Sequence, residues 1–135
     1  MQNNKNFQEV LVAFINGLKL ELPARLDYFK ADGDDLVVNL LPTGRKEREF
    51  MDGGAEVSLP FEFACKSLDN EKASAILWKI CEELSEVEDL PSTDGSYNFI
   101  RLNVGREGFA GKDEQAYYVH TLNITAYIET KPRRK

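Results

Sequence analysis

Apolar residues recur at Phe7, Val10, Leu11, Phe14, Ile15 and Leu18, the i, i+3, i+4, i+7 spacing of one helix face. The pattern predicts a helix over residues 7–18. Asn6 can cap it with Glu9 three residues on, and Gly17 and Pro23 end it. A second stripe, Ala73, Ile76, Leu77, Ile80, Leu84 and Val87, predicts a helix over residues 70–87 with Asp69 as its N-cap. Trp78 follows Leu77 by about 100° round that helix. It reads either as a margin of the core or as an anchor for another subunit, because tryptophan is enriched at interface hot spots.

Elsewhere the period falls to two. Val57, Leu59, Phe61, Phe63 and Cys65 alternate with Ser58, Pro60, Glu62, Ala64 and Lys66, predicting a strand over 55–66 with one buried face. Pro60 cannot donate to a ladder, which predicts an edge strand or a bulge, and an unpaired edge is a candidate subunit contact. Shorter strands are predicted over 25–30 and 36–41, with Asp32, Gly33, Asp34 and Asp35 as turn residues between them. Residues 97–104 form a strand with Ile100, Leu102 and Val104 on one face. Residues 105–113 read as a hairpin loop with Phe109 tucked inward. The last strand, 116–130, turns Leu122, Ile124, Ala126 and Ile128 inward and leaves Thr121, Asn123, Thr125 and Tyr127 accessible. Residues 42–54, with a charged centre between Pro42 and Gly44 on one side and Gly53 and Gly54 on the other, read as a loop or as a hairpin arm pairing only in an assembly. No internal repeat is visible. Strands in adjacent runs predict an α+β fold, a mostly antiparallel sheet with two helices packed on one face, in the order α-β-β-β-α-β-β.

Composition narrows the class. The 135 residues suit one domain over 1–130 followed by a basic, flexible tail at 131–135. With 42% hydrophobic and 30% charged residues the chain reads as globular. No apolar run approaches the roughly 18 residues of a membrane span, and the N-terminus shows no signal-peptide pattern, so the cytoplasm is the expected compartment. The net charge is −6, yet the last five residues, including Arg133, Arg134 and Lys135, carry +4 and leave −10 on the rest. An acidic body argues against general nucleic-acid binding, and the tail is a candidate contact for an anionic partner. Arg45, Lys46 and Arg48 form a second basic patch, nearly neutralised by Glu47 and Glu49.

Catalytic chemistry is hard to assemble from these residues. The single histidine, His120, is expected half-exposed on a strand, away from any nucleophile pattern. Cys65 and Cys81 lack C-x-x-C spacing and read as buried thiols. The Asp32–Asp35 turn lacks the spacing and distal glutamate of a calcium loop. The glycines of 105–113 are too irregular for a dinucleotide fingerprint and do not sit in a βαβ unit. The carboxylates Glu82, Glu83, Glu86, Glu88 and Asp89 read as a solvated helix end.

Four segments, in order, carry a resemblance: FMDGG at 50–54 leading into the alternating strand, ASAILW at 73–78, DGSYNF at 94–99 and DEQAYYVHTLNITAYIE at 113–129. Together they make the chain resemble the minor capsid, tail-terminator proteins of long-tailed bacteriophages and prophages. The resemblance implies a ring, usually of six subunits, that caps the tail tube, stops its polymerisation and joins tail to head, with DNA passing through. It implies no enzymatic activity and no cofactor. The implied partners are further copies of the chain, the tail-tube protein and a head-completion or connector protein. The implied locations are the host cytoplasm during assembly and then the head–tail junction of the virion. Pro60, Trp78, Arg45, Lys46 and Arg48 are the candidate subunit contacts. Two other readings stand beside this one: a different neck or connector protein, and a small ligand-binding domain or enzyme.

Overall fold

The computed structural model describes residues 5–30, 33–42, 44–51 and 53–130. Helix α1 (Lys5–Gly17) is followed by β1 (Ala24–Arg25), β2 (Asp35–Leu40), β3 (Arg45–Glu49) and β4 (Ala55–Ser67). Helix α2 (Asn70–Ser85) then leads to β5 (Tyr97–Val104), β6 (Gly108–Lys112) and β7 (Tyr118–Thr130). The strands form one mixed sheet in which every pairing but the short β1–β2 contact is antiparallel. The α+β expectation holds, with β3 and β6 added to the expected order.

The sheet is built on two long strands. β4 and β7 pair without interruption from Ala55↔Thr130 to Ser67↔Tyr118. Each then carries two short strands, end to end, along its other side: β4 carries β2 and β3, and β7 carries β5 and β6. Period-two burial follows, with Val57, Leu59, Phe61, Phe63 and Cys65 facing the same core as Leu122, Ile124, Ala126 and Ile128. Both helices cover this face. Phe7 of α1 packs its ring against Phe61, Tyr97 and Phe99 at centroid separations of 5.7, 5.4 and 6.4 Å. Ala73, Ile76, Leu77, Ile80 and Leu84 of α2 join the same cluster. A buried leucine or phenylalanine contributes about 1.5–3 kcal/mol, so these stripes hold the helices to the sheet.

The chain is a structural duplication. Arg45↔Ser58, Lys46↔Val57, Arg48↔Glu56 and Glu49↔Ala55 reappear 63 positions later as Gly108↔Thr121, Phe109↔His120, Gly111↔Val119 and Lys112↔Tyr118, with the bulge at the same place. The turns repeat as well. Phe50 N–H donates to Gly54 O (2.8 Å) and Gly53 N–H to Phe50 O (3.1 Å); Asp113 N–H donates to Tyr117 O (2.9 Å) and Ala116 N–H to Asp113 O (3.0 Å). Gly53 has φ 91° and its counterpart Ala116 φ 73°. The sequence shows no repeat because equivalent positions carry different side chains, as with Val57 and His120 or Phe63 and Ala126.

Several expectations are corrected. Pro60 is not on an edge strand: β4 lies between β7 and the β2–β3 pair. Its carbonyl accepts from Leu41 N–H at 2.8 Å, so its N faces the same side, at the gap between the last β2 pair (Leu40↔Phe61) and the first β3 pair (Arg45↔Ser58). The missing N–H costs no ladder bond there. Residues 25–30 form almost no strand, because Asp side chains satisfy the backbone instead: Tyr28 N–H donates to Asp27 and Lys30 N–H to Asp35. Within the segment 42–54, residues 45–49 are paired inside the chain, since β3 lies on β4. A bulge turns Ile100 outward (39% exposed) and lets Phe99 pack inward with Leu102 and Val104. Phe109 is on a strand and exposed. Asn6 is not a cap but a buried first-turn residue, whose amide holds Ser92 and Thr93. Asp69 does cap α2, accepting from Glu71 and Lys72 N–H. Among the described residues no helix is long and apolar enough to cross a membrane.

Candidate interaction surfaces

The two halves end in two different sheet edges. On one side β3 exposes all five residues, Arg45, Lys46, Glu47, Arg48 and Glu49. Its cations are matched within the chain: Arg45 to Glu47 at 2.9 Å, Lys46 to Glu49 at 3.7 Å and Arg48 to Glu56 at 3.3 Å. The hydrogen bond from Arg45 holds Glu47 below its ordinary value. On the other side lie β5 and β6, where Ile100, Gly108, Phe109 and Ala110 are exposed. Charges and bulges are how edges avoid pairing with other chains. β3 has both devices, whereas β6 has the bulge and only Lys112 for charge.

Trp78 stands on the outer flank of α2, 55% exposed. It borders a cleft of about 430 Å³ shared with Cys81, Glu82, Glu83, Ser85 and Glu86. Among the described residues, only Glu83 in this group has a cation beside it, Lys79 at 3.2 Å. Helix geometry places Trp78 and Cys81 three residues apart on neighbouring turns, and the Cys81 thiol donates to Gly105 O at 3.5 Å. The surface therefore sits above the end of β5. Gly105 is required there: a Cβ would lie 2.8 Å from Asn123 O, to which Gly105 N–H is bonded.

The polar cluster that sequence reasoning missed centres on a buried histidine. His120, 6% exposed rather than half-exposed, is held through Nδ1 by Glu107 and through Nε2 by Asn70 Oδ1 at 2.6 Å. It ties β7 to the β5–β6 connection and to the first turn of α2. Cys65 lies directly across the ladder from His120, yet the pair is not a nucleophile and base. Burial pushes the Cys65 thiol up to about 12, and both imidazole nitrogens are already engaged. A thiolate needs an electropositive, accessible setting. Glu107 and Asn70 stand 13 and 50 positions from His120, too far for any local motif.

At the same end of the sheet, on its β2 side, Asp34 and Asp35 take different partners. Asp34 accepts from Lys72 at 2.8 Å and from Ser67 at 3.1 Å. Asp35 accepts from both Arg25 Nη2 and Lys30 N–H through Oδ2. Each oxygen pair is thus spoken for by a cation. Asp32 and the tail with Arg133, Arg134 and Lys135 lie outside the described residues. The structure brings Arg45, Lys46 and Arg48 together on one edge, places Trp78 on the α2 flank, and sets Pro60, partly exposed, on a central strand of the sheet.

No curated protein matches the chain. The family described as bacteriophage tail terminator protein matches residues 8–130, nearly the whole of the fold. The chain belongs to the bacteriophage tail terminator family.

Proposed function

We propose that the chain works as a tail terminator: copies close into a ring, of six subunits, that caps the tail tube, ends its polymerisation and joins tail to head. The family match over residues 8–130 carries this reading. As members of a phage structural family, such proteins act with other tail and head proteins. Here the partners are the tail-tube protein on one side and a head-completion or connector protein on the other. DNA passes through the ring without specific binding, and no catalytic step or cofactor is involved. The folded unit is a single domain over 1–130, and the tail at 133–135 contacts an anionic partner. The protein works in the bacterial cytoplasm during assembly and then at the head–tail junction of the virion.

A closed ring needs a heterologous interface, with two different surfaces on each copy. The charged β3 edge and the apolar β5–β6 edge with Trp78 meet that requirement, because they lie on opposite sides of the sheet. Native mass by sedimentation, with electron microscopy of mixtures with tail tubes and with DNA-filled heads, tests the reading. Rings seated on tube ends are the expected result. Binding to heads alone would overturn it in favour of a different connector. Trp78→Ala should leave the melting temperature unchanged and weaken assembly at least tenfold. Unfolding of that variant would make Trp78 a core residue.

A further inference from the structure

We propose that free copies of the chain pair through the open edge of β5, strand against antiparallel strand, about a two-fold axis. β5 ends the sheet, and β7 is its only ladder partner among the described residues. The duplication shows what the first half has in that place. There β1 lies along β2 beside Leu36 and Val37, and Leu36 and Val38 are fully buried. Their counterparts Phe99 and Leu102, opposite Ile128 and Ala126, are only half-buried. Among the described residues no strand takes the place of β1 beside them. The backbone groups that point at this edge follow from the ladder. Gly105 N–H bonds to Asn123 O, so Thr125, Tyr127 and Glu129 of β7 also turn their backbone groups toward β5. Their partners Asn103, Arg101 and Asn98 are the bonded residues. The N–H and C=O groups of Tyr97, Phe99, Leu102 and Val104 are left pointing at the open edge.

The bulge makes β5 complementary to itself. Tyr97, Phe99, Leu102 and Val104 face the core, while Asn98, Ile100, Arg101 and Asn103 face away from it. That order of faces reads the same from either end of the strand. Laid antiparallel on a second copy, Tyr97 meets Val104, Asn98 meets Asn103, Phe99 meets Leu102 and Ile100 meets Arg101. Each pair then shares one face, as an antiparallel ladder requires. The pairs Tyr97–Val104 and Phe99–Leu102 exchange two backbone bonds each. A bulge guards an edge against a regular strand, but not against a strand bulged at the same point. The charges agree with this register, which sets Arg106 beside Gly95 of the second copy and so next to Asp94. Among the described residues Arg106 has no ion-pair partner, and Asp94, held by Ser92 and Ser96, has no cation. Arg101, near the axis, is turned back over the Tyr127 ring at 3.9 Å and toward Glu56 at 3.8 Å, away from its own copy. The contact is isologous and closes at two chains. It goes beyond the ring reading and does not rest on it: the dimer occupies an edge that the ring contact also uses, so the two compete.

Sedimentation equilibrium of the full chain, from about 1 μM to about 1 mM, reads the pairing directly. A monomer–dimer equilibrium is expected, with a dissociation constant on the order of 50 μM for so small a contact. Val104→Pro removes an edge-facing N–H that no ladder bond within the chain uses. It should weaken the dimer about tenfold while the thermal melt stays cooperative. Arg106→Glu should weaken it by about the same factor, and adding Asp94→Asn should recover most of the loss. A crosslink reads the axis even if the proline variant unfolds. Ile100 and its symmetry mate lie about 6 Å apart at Cα in this register, within disulfide range. The chain with Cys81→Ser and Ile100→Cys, oxidised with diamide, should therefore run as a covalent dimer. A head-to-tail contact sets Ile100 against a different part of its neighbour and gives no such product. A monomer at about 1 mM, or a dimer in which the Ile100→Cys thiol stays reduced, would overturn the proposal. So would a dimer indifferent to both Val104→Pro and Arg106→Glu. Rings on tube ends from a chain that never dimerises would remove the dimer and leave the ring reading standing; a crosslinked dimer without rings would do the reverse.

Discussion

The two halves of the chain share one layout and differ in what fills it. In the first half the position facing the core opposite Lys46 is Val57, fully buried. In the second half the equivalent position, opposite Phe109, is His120, joined to Glu107 and Asn70. The first half closes its arm with Gly53 at a positive φ, and the second uses Ala116. The first half guards its edge with five charged residues, and the second leaves glycine, phenylalanine and alanine there. Backbone pairing thus sets the architecture, while the side chains of each half are free to serve different ends. A chain with two like edges could join its copies in several ways. Making one edge charged and the other apolar restricts which surfaces can meet.

The sharpest test of that comparison is to make the halves alike. His120→Val places the first half's residue in the second half and leaves the largely buried Glu107 carboxylate, and Asn70 Oδ1, without their partner. A loss of about 2–4 kcal/mol is expected in urea unfolding. Adding Glu107→Ala should restore most of it, since the uncompensated acid is then gone. A neutral single variant would mean that the cluster contributes nothing to the fold. Next comes the turn. Ala116 at φ 73° carries the strain of the left-handed region, so Ala116→Gly should raise stability by about 0.5–1 kcal/mol and Gly53→Ala should lower it by about 1 kcal/mol. Thermal melts check both, and a loss from each variant would show that the two turns are not equivalent.

The smallest effect concerns acid. The hydrogen bond from Lys72 holds Asp34 below the ordinary carboxylate value. Burial pushes Asp35 upward, but hydrogen bonds from Arg25 and Lys30 N–H outweigh it and leave this carboxylate low as well. A lowered folded-state value adds stability above the unfolded-state pKa and loses it as pH falls through the folded-state value. Stability should therefore decline below about pH 4. Hydrogen exchange should show β2, in the first half, opening before β5, and Asp34→Asn should flatten the decline. Equal opening of the two strands would show that the acid-sensitive links are not confined to one half.

What could be read from the sequence is what burial writes into it. The stripes of α1 and α2 and the alternation of β4 and β7 are periodic because one face of each is packed on the core. β3 and β6 carry no such signal: RKERE is charged throughout and three of the five residues of GFAGK are glycine or alanine. They are strands because β4 and β7 offer free ladder positions, a tertiary cause that no local window contains. Pro60 misled for a related reason. The rule that proline marks an edge assumes one partner per side, whereas β4 changes partners beside that residue. His120 was legible as a strand residue but not as buried, since Glu107 and Asn70 reach it only through the fold. Trp78 was legible as a flank position on a helix, and its exposure follows from that.

The uninterrupted ladder between β4 and β7 has a consequence for synthesis. Residues 55–67 must wait for residues 118–130 before their second side is paired. Throughout translation of α2, β5 and β6, the apolar face and free edge of β4 are without the strand that completes them. The nascent chain therefore passes through a period of exposure to aggregation that ends only when β7 has been made. Host factors that shield extended apolar segments should matter more for the yield of this protein than for its final stability.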